Sequence, residues 1–288
     1  MPFFSVIIPA YNRALIVETA INAVLQQSFT DFELIISDDG STDDTKEVVS
    51  KYLSDNRVKY VYQINKGVCA ARNNGTLQAT GEYLVFLDSD DTVEPDWLAD
   101  FYKCVFNSGI DIAFCNMKVQ QKDNSFKLVD AAKPYADSTV KGMYIAGLFT
   151  LKRSLFLQAG MYDEKMKFGE NTELGYRLKA FDLKMGFVKN YNIIYSPSQD
   201  GGSKNLENKL TSNLYILEKH AAYFNGNIRS KKLFMQVAAV AAARLGKYKQ
   251  ANDIFLAALK ADKTDMKLWL QYLLSLFPVI AKFKWKVK

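Results

Sequence analysis

The first ninety residues constrain the fold more than any other feature. Short, largely apolar runs alternate with stretches of helical spacing. Phe4 to Ile8, Phe32 to Ile36, Val58 to Gln63 and Glu82 to Leu87 read as buried strands. Between them, residues 14–27 space Leu15, Ala20, Ile21, Val24 and Leu25 at helical intervals. A second helix runs to about Tyr52 with Thr42 or Asp43 as its cap, and a third opens at Lys66 and Gly67 and continues through Ala79. Strand and helix in strict alternation predict a parallel sheet with helices on both faces. Apolar strands fit that sheet, because both its faces are covered. Ligands of such sheets bind beyond the carboxyl ends of the strands. Three polar clusters stand at those ends: Pro9 to Arg13, Asp38 to Ser41 and Asp88 to Asp91. They are expected to meet on one edge.

Beyond residue 100 the pattern loosens. Ile110 to Met117 reads as a strand, 120–140 as a polar loop, Gly147 to Leu151 as a strand and 153–159 as a helix. Phe168 to Phe181 is helical, with Leu174 and Leu178 on one face and Glu170 in its first turn. Tyr191 to Tyr195 reads as a last strand before the loop Gln199 to Ser203. From about Glu207 amphipathic helices take over. The run from Ala243 to Leu259 resembles one tetratricopeptide-type hairpin, which as a single copy cannot stack into a solenoid and reads as a helical appendage. The expected division is an α/β domain over 1–205 and a helical region over 206–288.

Composition removes several chemistries. One histidine, His220, and three cysteines (Cys69, Cys104, Cys115) without a CxxC spacing leave no ligand set for a zinc cluster. The cysteines read as reduced core residues. Lys plus Arg exceeds Asp plus Glu by 37 to 31, a formal charge of +6, but Lys282, Lys284, Lys286 and Lys288 crowd the C-terminal end. A basic tail favours an anionic surface over nucleic acid. The apolar, aromatic run from Leu268 to Ala281 ahead of it fits either an interfacial membrane contact or a last helix packed on the protein. No signal-peptide pattern and no apolar run of ~18–20 residues is visible, so a cytoplasmic location is expected, with possible peripheral contact on the inner face of the plasma membrane.

Each polar cluster admits two readings by itself. Asp88 and Asp90, flanking Ser89, suit Mg²⁺ or Mn²⁺ with a diphosphate, or a solvated turn that caps the next helix. Asp38, Asp39, Gly40 and Ser41 can receive the imide N–H of uracil or a ribose hydroxyl, or can simply turn strand into helix. Lys66, Gly67, Arg72 and Asn73 combine a helix start with a guanidinium, which favours an anion, or form a solvated basic face.

Taken in order, the set closely resembles the family-2 glycosyltransferases. The segments are Ser5-Val-Ile-Ile-Pro-Ala-Tyr-Asn, Gln26 to Asp43, Asn65-Lys-Gly with Ala71-Arg-Asn, and Gly81 to Asp91. The resemblance is dense over about 4–100 and thinner to about 205. It implies a GT-A, Rossmann-like fold, with a mostly parallel sheet, helices on both faces and a helical C-terminal appendage. It also implies inverting transfer from a nucleotide sugar to a glycan or lipid-linked saccharide. On that resemblance Pro9, Tyr11 and Asn12 line the nucleotide pocket, and Asp38 and Asp39 with Gly40 hold uracil and ribose. Lys66, Gly67, Arg72 and Asn73 border the donor. Asp88-Ser89-Asp90 is the Asp-x-Asp motif, Asp90 most directly binding Mn²⁺ or Mg²⁺. The family's base is the Asp of a Glu-Asp pair at a helix start, and here that position is Asn171. An amide cannot take a proton as a carboxylate does. Glu170 is the first alternative and Glu173 the second; otherwise the chain is a non-catalytic nucleotide-sugar-binding or scaffold protein with a helical partner-binding C-terminus. Gly201-Gly202-Ser203 resembles the family's closing loop, or is a linker.

Overall fold

The computed structural model describes residues 1–132, 144–195 and 204–285, the side chains of Pro278 and Ala281 excepted. It divides into two compact units: Met1–Lys165 with Glu170–Ser198, and Met166–Gly169 with Gln199–Lys288. The loop 199–203, Lys286 and Lys288 lie outside the described residues.

In the first unit β1 (Phe4–Ala10) and β2 (Phe32–Asp38) are buried at every position, as a sheet covered on both faces demands. They pair in parallel, with β3 (Val58–Tyr62) outside β2 and β4 (Tyr83–Phe86) on the other side of β1. The crossovers are α1 (Val17–Leu25), α2 (Thr45–Ser50) and α3 (Val68–Gln78). The order β3-β2-β1-β4 reverses direction beside β1, which opens a crevice at the carboxyl ends of β1, β2 and β4. Beyond β4 the sheet becomes mixed. β8 (Phe149–Lys152) is antiparallel to β4, β6 (Ile112–Gln120) is antiparallel to β8, and β9 (Met185–Tyr195) is parallel to β6. The two-residue β5 (Thr92–Val93) pairs with the end of β9.

Several boundaries differ from the sequence reading. The stretch expected as loop over 120–140 contains β7 (Phe126–Val129), paired antiparallel with β6. Its residues are mostly exposed on an edge, so no apolar pattern announces it. β9 starts at Met185, six residues earlier than Tyr191. α4 (Trp97–Val105), unread in the sequence, buries Trp97, Leu98 and Phe101. α2 begins only at Thr45; Asp43 accepts the Thr45 N–H and the Thr45 hydroxyl, while Thr42 donates its N–H to Asn12. α5 (Arg153–Gln158) and α6 (Glu170–Leu178) fall inside their predicted ranges. Cys69 and Cys115 are buried, Cys104 is half-buried, and all three are free thiols.

The second unit holds α7 (Leu206–Lys219), α8 (Ala221–Gly226), α9 (Ile228–Arg244), α10 (Tyr248–Ala261), α11 (Met266–Ser275) and α12 (Pro278–Lys284). The hairpin expected over Ala243 to Leu259 takes in only the end of α9; the two antiparallel helices are α9 and α10, turned by Gly246 at φ +76°, with alanines of α9 against Ala251, Phe255 and Ala258. His220 stands between α7 and α8. Trp285 is only 7% exposed and stacks on Phe255 at 5.9 Å between ring centroids. One aromatic residue of the expected tail is thus part of the core. No helix among the described residues is long and apolar enough to cross a membrane.

Away from the crevice, Glu33 ties the amino ends of the parallel strands together. Its Oε1 accepts from the Ser5 hydroxyl at 2.6 Å, from the Thr80 N–H at 2.6 Å and from the Gly81 N–H at 3.2 Å; its Oε2 accepts from Lys59 at 2.6 Å. Burial alone would raise its pKa, but Lys59, Ser5 and Thr80 together hold it below the usual value. A carboxyl lowered in the folded state stabilises above its unfolded pKa and loses that contribution as the pH falls through its folded pKa. Glu33→Ala strands these donors and is expected to cost about 3 kcal/mol in urea unfolding at neutral pH. The gap between variant and parent should narrow as the pH drops below the ordinary carboxylate range.

Candidate active site

The loops after β1 and β2 are built on carboxylates. Asp38 and Asp39 are both buried. Asp38 accepts the Ser41 N–H at 2.7 Å and the Tyr60 hydroxyl at 2.7 Å, and burial followed by the Asp38 charge raises the Tyr60 pKa so that this hydroxyl stays a donor. Asp39 accepts from the Gln63 amide at 2.7 Å, the Lys66 N–H at 2.8 Å and the Gly67 N–H at 2.7 Å. It therefore serves the start of α3, which has no cap from its own N-cap residue Gly67, and it sits where the helix dipole favours negative charge. Gly40 adopts φ +81°, and a Cβ there would lie 2.8 Å from the Asn65 nitrogen, so only glycine fits the turn. Asn12, also left-handed at φ +53°, gives its N–H to Ser41 and receives that of Thr42, which joins the first two loops. Pro9 lies within buried β1, while Tyr11 is 46% exposed beside Asn12 and Lys66 is exposed.

Arg72 connects the third loop to the far side of the crevice. Its guanidinium is 2% exposed. One terminal nitrogen donates to Asp88 Oδ1 at 2.6 Å, the other to Glu170 Oε1 at 2.8 Å. The Tyr162 ring lies 5.3 Å away, and the Nε N–H has no acceptor among the described residues. Burial by itself would lower the pKa of Arg72, but Asp88 and Glu170 outweigh it and raise it well above the ordinary value. Both forks of the guanidinium are thus committed to protein carboxylates. Asn73 beside it grips the backbone of Tyr162, donating to the carbonyl at 2.9 Å and accepting the N–H at 2.9 Å. It braces the site.

The amide at position 171 has a defined job. Its Oδ1 accepts the Tyr162 hydroxyl at 2.7 Å, and its Nδ2 donates to Glu170 Oε1 at 3.3 Å. Tyr162 is fully buried, and burial pushes its pKa up, so its hydroxyl remains the donor. Glu170 is 15% exposed and keeps Oε2 outside these bonds. Glu173 is fully buried and bridged by Arg177 at 2.8 Å, which makes it a structural ion pair of α6.

The turn after β4 offers a metal-compatible cluster. Asp88, Asp90 and Asp91 each present an oxygen within 4.8 Å of the others. Several hard oxygens so close together fit Mg²⁺ or Mn²⁺. Ser89, between the first two, is buried. Asp91 was not among the residues singled out as ligands from sequence, although its adjacency to the motif was the available signal. Tyr60, Gln63 and Tyr162 were missed as well. Tyr60 and Gln63 reach partners more than twenty residues away and Tyr162 one nine residues away, with no local pattern to show them.

Removing the Arg72 charge should leave two carboxylates facing each other. Arg72→Met is expected to lose about 3–5 kcal/mol of stability. Combined with Glu170→Gln the loss should be smaller than the sum of the two single losses, read as a double-mutant cycle in urea. Simple additivity would argue against the bridge.

The family model for glycosyl transferase family 2 matches residues 5–181. The GalNAc(5)-diNAcBac-PP-undecaprenol beta-1,3-glucosyltransferase of Campylobacter jejuni is 32% identical over 218 residues, which cover 71% of this chain and 70% of that protein. Among solved structures, S. aureus TarS 1–349 in complex with UDP-GlcNAc aligns over 96% of this chain and 80% of that one, with TM-score 0.63 and 20% identity. The mannosyltransferase PcManGT of Pyrobaculum calidifontis, in complex with GDP-Man and Mn²⁺, aligns over 98% and 86%, with TM-score 0.64 and 16% identity. These structural likenesses establish the GT-A fold. With the family match spanning more than half of its length, the chain belongs to glycosyl transferase family 2 and is a glycosyltransferase.

Proposed function

We propose that this chain moves a sugar, with inversion, from a UDP-linked donor to a hydroxyl of a glycan or lipid-linked saccharide during assembly of bacterial surface polysaccharide. The observation that carries the reading is the single buried guanidinium of Arg72, shared by Asp88 on the donor side and Glu170 on the helix where the family keeps its base. The Campylobacter relative supports the acceptor class, because its name specifies an undecaprenol-linked saccharide. TarS, solved with UDP-GlcNAc, supports a uridine donor. A lipid-linked acceptor implies work at the cytoplasmic face of a membrane.

The chemistry follows from the hydrogen-bond pattern. A carboxylate offers about four lone-pair sites, and Asp39 uses three on backbone and amide donors. One site is left to accept an imide N–H, with Tyr11 available to lie against the base. Glu170 has Oε1 held by Arg72 and Asn171, and its Oε2 takes no part in those bonds. Glu170 Oε2 takes the proton of the acceptor hydroxyl as its oxygen forms a bond to the anomeric carbon. The bond from that carbon to the diphosphate oxygen breaks, and its electron pair leaves with the nucleoside diphosphate. The displacement is single and in line, so an α-linked donor gives a β-linked product. A divalent cation held by Asp88 and Asp90, with Asp91 beside them, supplies positive charge for the departing diphosphate when bound. Arg72 acts by holding the two carboxylates in register. Because the Asn171 amide donates to Glu170, its presence fits a base moved by one residue rather than a lost activity.

Calorimetry with UDP should give a binding heat that strengthens with Mn²⁺; no heat under either condition would reject the donor assignment. Glu170→Gln is expected to lower turnover by about 10²–10⁴ with the fold intact, as checked by its unfolding curve. Asn171→Asp places a second carboxylate against Glu170, so it should lower activity at neutral pH and shift the acid limb of the pH–rate profile upward. A gain in activity in that variant would assign the base to position 171 instead.

A further inference from the structure

α11 is apolar on two opposite faces. Leu268 and Ser275, seven residues apart, are buried in the helical core. Met266, Leu270 and Leu273 follow one another at intervals of four and three, which is a single stripe along the helix, and Phe277 stands in the bend just after it. They are 79%, 57%, 49% and 57% exposed. α12 continues the feature with Val279 and Phe283, four apart and 84% and 87% exposed. A helix that is apolar all round normally has both faces covered, and an exposed apolar patch of this extent marks a site of contact.

The charges around it select the occupant. From Met266 to Lys288 the chain has five lysines and neither aspartate nor glutamate. Lys267, Lys282 and Lys284 are exposed on the same two helices. Apolar side chains bordered by lysines, with the one adjoining acid, Asp265, already paired to Lys232, complement a bilayer surface that carries anionic lipid, where the rings enter the acyl boundary and the ammonium groups meet the headgroups. A second copy of the chain would set these lysines against each other. We infer that the outward face of α11 and α12 docks the protein side-on to an anionic membrane, without crossing it. The contact is this helical face rather than an extended tail, since Trp285 is occupied inside the unit. The inference shares only the membrane location with the proposed function, and vesicle binding is read without donor, acceptor or turnover, so the two can fail separately.

Full-length protein should sediment with phosphatidylcholine vesicles containing phosphatidylglycerol and at least tenfold less with phosphatidylcholine alone. Leu270→Glu with Leu273→Glu should lose binding to both, and Lys282→Glu with Lys284→Glu should lose the preference for anionic vesicles. The altered positions are exposed, and unchanged circular dichroism and UDP calorimetry would verify the folded state of each variant. Absence of vesicle binding by the parent chain, or equal binding by the Leu variant, would overturn the inference. So would a lipid-free dimer in light scattering that the Leu variant dissolves, which would assign the face to a second copy.

Discussion

A guanidinium removed from water must be answered by negative charge, and Arg72 is answered from two directions at once. Asp88 arrives on the turn after β4, and Glu170 arrives at the start of α6, ninety-eight residues away from Arg72 in sequence. If either carboxylate swung away, one terminal nitrogen of the buried guanidinium would lose its acceptor. The turn after β4 and the start of α6 are therefore tied to each other by one side chain. Asn73, the next residue on α3, extends the brace by clamping Tyr162, whose hydroxyl reaches Asn171. The chain of contacts closes on Glu170 through the amide of Asn171. Pre-organisation of this kind spares the site from reorganising during reaction.

The same economy governs Asp38 and Asp39. Side chains that a motif-based reading assigns wholly to the ligand are largely engaged in holding their own loops. This is a consequence of placing polar loops beside buried strands. Backbone N–H groups at the start of α3 have no partner within the helix, and a buried loop must satisfy them. Asp39 does so from the neighbouring strand end and fixes where Lys66 and Gly67 stand.

The parallel half of the sheet was legible because its strands are largely apolar on both faces, and β1 and β2 are buried at every position. The ordered polar clusters located the crevice for the same reason, since they can only stand at strand ends. What sequence hid were contacts without local period. β7 lies on an edge with exposed side chains, and β5 is too short to carry a pattern. The partnership of Tyr162 with Asn171 spans a turn-rich segment of nine residues that carries no periodic pattern. Position 171 was legible as a departure, but its physical meaning required seeing which atom its amide addresses. Trp285 stood among lysines with both readings of that end open, because a single aromatic residue there has no periodic sign of being inside.

That burial of Trp285 decides more than its own environment. The core of the helical unit is rich in alanine, so Phe255 and Trp285 supply much of its bulk, and their stacking fixes the rotation of the last turn. Residues two apart on a helix stand about 200° apart around the axis. With Trp285 held inward, Phe283 is carried outward, where it is 87% exposed. The outward apolar face is therefore held in place by the inward one and is not a loose end of the chain. The alanine-lined core and the exposed face thus belong to one packed arrangement.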